Sequence, residues 1–86
     1  MTDINDELFG LLVLSLGNAA LVGLAQVPNP ETQKLEKNLN LAKENINLLE
    51  MLQTKTRGNL HEEENQLLED LLYDLRMKFV EFSKNP

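Results

Sequence analysis

The single histidine, His61, opens the run HEEEN, with Glu62, Glu63 and Glu64 directly behind it. An imidazole among carboxylates is the set a bound metal ion or a general-base step would use. Glu64 and Asn65 fall three and four residues on, the spacing that brings side chains together on a helix. A zinc site needs three or four ligands, however. The paired Glu-x-x-His motifs of di-iron bundles do not occur, nor does a calcium-loop spacing. There is no cysteine, so thiolate ligands, nucleophilic thiols and disulfides are excluded. No Gly-rich phosphate loop occurs, and no serine nucleophile has a histidine partner. His61 therefore reads as a capping or surface residue. The carboxylates of Glu69, Asp70 and Asp74, with Glu62–Glu64, read as a solvated helix face. The expectation is a chain with no enzymatic activity, no cofactor and no metal.

Polar residues inside apolar surroundings are more informative. Asn18 stands in the middle of LSLGNAALVG, and Glu50 interrupts LLEML. Tyr73, Asp74 and Arg76 stand within LLYDLRM. An interfacial Asn can set register in a helical oligomer. Arg76 paired with Glu50 or Asp74 would fix helix order through its planar fork, or would lie on the solvent face and contribute little.

Three elements must position these residues, separated by two breaks. VPNPE carries Pro28 and Pro30, which cannot sit inside a helix. RGN carries Gly58 after a helical pattern whose last turn holds Lys55 and Arg57. The first helix is expected over about 5–26, capped by Asn5 or Asp3. The second spans about 39–56 with Asn38 as cap, and Leu39, Ala42, Ile46 and Leu49 on one face. The third spans about 62–83, started by a capping box of Asn59 with Glu62 or His61 with Glu64. Its stripe is Leu68, Leu71, Leu72, Leu75, Phe79 and Phe82. Residues 27–38 read as a Pro-containing linker. Strand periodicity is absent, so the fold class is all-α: three helices in one bundle and a single domain of 86 residues.

The stretch Leu8–Val27 contains no charge at all. Its length suits a membrane span. Its acidic flank, central Asn18 and lack of Lys, Arg, Trp and Tyr anchors argue against one. The acidic start also argues against a signal peptide. Apolar residues occur on every side of this helix, and two amphipathic helices cover only part of it. Ser15, Ala19 and Gly23, four residues apart, form a groove of small residues that a second helix could approach closely. The expected outcome is a homodimer or higher oligomer through the first helix, at Ser15, Asn18, Ala19 and Gly23, with Glu50, Asp74 and Arg76 as structural polar residues. Net charge is −6, and residues 1–30 carry no base. Nucleic acid is therefore a poor partner. The reading is a cytoplasmic oligomerisation and protein-interaction module. The alternative is a membrane-associated accessory protein with residues 8–27 inserted.

The runs SLGNAALVGLAQVPNPET, INLLEMLQTKTRGNL and LLYDLRMKFVE closely resemble a small bacterial family catalogued as domain of unknown function number eighteen forty-four. The resemblance covers about residues 8–82. It implies a short, all-helical, cytoplasmic bacterial protein, and no enzyme, cofactor or substrate. His61 departs from the pattern, since relatives often carry a Thr cap there.

Overall fold

The computed structural model of the chain describes residues 4–84. Three helices follow one another: α1 (Ile4–Gly23), α2 (Leu39–Lys55) and α3 (Glu62–Lys84). Contacts fix their directions. The end of α1 meets the start of α2 at Gly23 and Asn38. The start of α1 meets the start of α3 at Asp6 and His61. Lys37, just before α2, reaches the Phe82 carbonyl at the end of α3. The bundle thus runs up, down, up, with α1 and α3 parallel.

The core is aliphatic. Val13, Ala20 and Leu24 from the first segment meet Ala42, Ile46 and Leu49 of α2 and Leu68, Leu72 and Leu75 of α3. Phe79, Phe82, Leu71 and Leu39 close its edges. The stripes expected for α2 and α3 are the ones that face inward. Other apolar residues of the same helices, Leu48, Met51, Leu67, Met77 and Val80, stay exposed.

The helix starts have local causes. The Asn38 side chain accepts from the Leu41 amide, as expected of the cap. At α3 the box is the His61–Glu64 one, in which the Glu64 carboxylate reaches back to the His61 amide at 2.8 Å. α1 begins before Asn5, so Asn5 lies inside its first turn; Asp3, the other cap considered, lies outside the described residues.

α1 stops at Gly23, three residues short of the expected end. The reason is a Schellman turn. The Gln26 amide donates to the Leu21 carbonyl (2.9 Å) and the Ala25 amide to the Val22 carbonyl (3.1 Å). This places Ala25 in the left-handed region, with φ 57°. A Cβ there costs about 1–2 kcal/mol. Ala25→Gly is therefore expected to stabilise the protein by about 1 kcal/mol once the extra freedom of glycine in the unfolded chain is offset. Urea denaturation measures it; a loss of stability would contradict the turn assignment.

The linker is folded. Leu24 is fully buried and pairs through its backbone with Lys37. Between them Asn29 donates from its amide to the Lys34 carbonyl and accepts at its side chain from the Glu31 amide. That side-chain turn mimics a backbone turn and brings the chain straight back to α2.

Candidate functional site

Leu8, Leu11, Leu12, Ser15 and Asn18 recur at helical spacing and line one side of α1, with Leu14 at its edge. All of them are exposed. The leucines are 56%, 63%, 45% and 56% accessible for Leu8, Leu11, Leu12 and Leu14. No charged residue interrupts this face between Leu8 and Asn18. The opposite side of α1 carries Val13, Gly17 and Ala20 into the core, and Leu24 follows them just past the helix end. Gly17 lets α3 approach, since a Cβ there would stand 2.9 Å from a methyl of Leu71.

The small residues expected to form one groove are divided between two surroundings. Gly23 is filled from inside the chain: a Cβ would stand 2.7 Å from both the Ala42 nitrogen and the Asn38 oxygen. Ala19 is half-buried, while Ser15 and Asn18 face solvent. The Ser15 hydroxyl donates to the Leu11 carbonyl at 2.8 Å. Its hydrogen is thus satisfied within the helix. Gly23 therefore belongs to the α1–α2 contact, and the open surface is the leucine face nearer the N-terminus.

The structural polar residues sort as follows. Arg76 donates to Glu50 at 2.9 Å, joining α3 to α2. Asp74 is not its partner; it accepts from Lys78 one turn along the same helix. The Arg76 and Glu50 side chains are 50% and 44% accessible, so solvent screens the pair. Arg76→Met is accordingly expected to cost no more than about 1 kcal/mol in thermal or urea unfolding. A larger loss would mean that the pair governs helix order. Between α2 and α3 beside it lies a shallow groove of about 210 Å³, lined by Ile46, Phe79 and Val80, with Lys43 at its edge. Asn45 is the one polar residue buried among the described residues. Its amide donates to the Leu41 carbonyl at 2.9 Å. Its position in the face Ala42, Asn45, Ile46, Leu49 was legible, but its residue type hid it.

His61 stands 3.2 Å from Asp6, and the ligand atoms of Asp6, His61 and Glu64 lie within 4.8 Å of one another. Three ligands reach the lower bound for zinc. Glu64, however, is engaged at the His61 amide, and the His61 ring is largely exposed. Two helix N-termini converge here, and their partial positive charge is what these carboxylates offset. The cluster does the work of a cap and a tie between α1 and α3.

Three helices around an aliphatic core, with one uncharged leucine face of α1 left exposed, define a small all-helical protein. The chain belongs to the family described as Domain of unknown function (DUF1844), whose model matches residues 7–81. No curated protein and no solved structure matches it.

Proposed function

We propose that this protein is a non-enzymatic, cytoplasmic interaction module that self-associates through the open face of α1. The observation that carries the reading is the run of exposed leucines Leu8, Leu11, Leu12 and Leu14. Together they leave the equivalent of about two fully exposed leucine side chains in water, worth about 3–6 kcal/mol per chain on burial. A pair of chains doubles this, against an association cost of about 4–15 kcal/mol. The two terms are of similar size, so the association expected is weak and reversible; only the favourable end, about 12 against about 4 kcal/mol, reaches the micromolar range. The shape agrees: the principal extents are 43 × 25 × 16 Å and the radius of gyration is 13.7 Å. A compact chain of this length has a radius near 12 Å. A thin, open bundle gains a second layer when it associates.

A second reading has its own observation. The helix Asn5–Gly23 has mean hydropathy 1.4 and is 28% buried, so length and composition would let it cross a membrane. Insertion would strip Val13 and Ala20 from the core and break the close contacts at Gly17 and Gly23. Flotation with phospholipid vesicles separates the two readings. The module is expected to stay in the dense fraction; recovery of the protein with the vesicles would transfer α1 to the bilayer.

A further inference from the structure

The open face of α1 also carries information about how a second copy would sit on it. Leu11 is its most exposed leucine, and Ser15, one turn on, is its smallest side chain. The Ser15 hydroxyl is already turned onto the Leu11 carbonyl. What remains at Ser15 is a shallow notch whose polar group needs no new partner, next to a projecting leucine. A knob and a notch one turn apart are self-complementary about a two-fold axis passing between them, because each Leu11 then lies over the other copy's Ser15.

Charge selects the direction. The contact between His61 and Asp6 brings the starts of α1 and α3 together, so Asp6, Glu7, Glu62, Glu63 and Glu64 gather at one pole. Among the described residues, the bases on this side are Lys55 at the end of α2 and Arg57 just after it. The opposite pole holds the start of α2, its preceding linker and the end of α3. Its Lys34, Lys37, Lys43 and Lys84 match Glu31, Glu36, Glu44 and Glu81 in number, and Lys78 is paired with Asp74, so this pole is close to neutral. A parallel pair would set two acidic poles side by side. In an antiparallel pair the two Glu7 positions are separated by roughly 18 Å along the axis, beyond the screening length at physiological salt. Each acidic pole then lies beside the other copy's near-neutral one.

From these observations we infer that the partner of α1 is the α1 of a second copy, packed antiparallel, with Leu11 of each chain seated at Ser15 of the other. This rests on the self-association proposed above, and it adds a direction and a register. Leu8 and Asn18 face each other at the ends of the contact, where the Asn18 amide keeps access to water.

The chain has no cysteine, so single cysteines report the geometry directly. Facing positions come within disulfide reach, whereas the two Leu11 positions stand about 6 Å apart along the axis as well as across the interface, outside it. A mixture of the Leu11→Cys and Ser15→Cys proteins is expected to form disulfide-linked dimers at least about ten-fold faster than either protein alone. Rapid linkage of each variant by itself would show a parallel pair and overturn the proposal. A dimer by light scattering that links in none of these samples would overturn the register while leaving self-association intact. A wild-type protein that is monomeric at all concentrations would overturn both. Because Leu11→Cys trims the knob, pyrene attached at Glu7→Cys gives a second measurement that leaves the leucines untouched. Monomer emission from a sample of dimeric mass supports the antiparallel pair, and excimer emission contradicts it.

Discussion

Gly23→Ala is expected to destabilise the protein by about 3 kcal/mol, the upper end of the range for overpacking. The new methyl would meet two backbone atoms, the Ala42 nitrogen and the Asn38 oxygen, each at 2.7 Å. Neither can retreat. The Asn38 carbonyl accepts the first hydrogen bond of α2 from Ala42, and the Asn38 amide donates to the Gly23 carbonyl at 2.7 Å. Moving α2 away would break the seal that closes the linker. Gly17→Ala is the matched control. There the obstacle is the far end of the flexible Leu71 side chain, 2.9 Å away. Alanine's helix propensity, better than glycine's by about 1 kcal/mol, offsets the small adjustment. Urea titrations of both variants are expected to differ by roughly 3 kcal/mol, or more than 10 °C in Tm for a domain of this size. Equal costs at the two glycines would show that α1 and α2 are not held this closely.

The second large effect is on association. Leu11→Glu removes the most exposed leucine of the open face and sets a charge at its centre. In the antiparallel pair proposed above, a buried unpaired carboxylate opposite Ser15 of the other chain would have no partner to offset its desolvation. Self-association is expected to weaken on the order of 100-fold. Folding of the single chain is expected to change by less than about 0.5 kcal/mol, since Leu11 contributes nothing to the buried core. The variant thus separates the two properties: unchanged helicity and unfolding with lost mass supports the face as the interface. Lost helicity would show instead that Leu11 supports the fold.

Much of this architecture was legible in the sequence. α2 and α3 each show an apolar stripe at helical spacing, so both their existence and their inward faces followed from residues such as Ile46, Leu49, Leu72 and Leu75. Asn38 and the His61–Glu64 pair mark starts because the free amides of a first turn need acceptors. α1 was harder. A helix apolar on every side has no pattern to say which side turns inward. Ser15, Ala19 and Gly23 therefore looked like one exposed groove, although Gly23 is the seat of α2. Its end was misplaced because the left-handed residue of the closing turn is Ala25, where composition gives no glycine signal. The linker's order was missed for a related reason. It comes from single backbone pairings, Leu24 with Lys37 and Asn29 with Lys34, which leave no periodic trace. The partner of Arg76 was narrowed to Glu50 or Asp74, and only the placement of α2 beside α3 chose Glu50.

The central claim is that the leucine face of α1 is closed by a second copy of the chain. Light scattering of the wild-type protein in detergent-free buffer, run as a dilution series, tests it most directly. The expected result is a mass of twice 9.8 kDa or a higher multiple at high concentration, falling toward a single chain on dilution. A mass of 9.8 kDa at every concentration would contradict it.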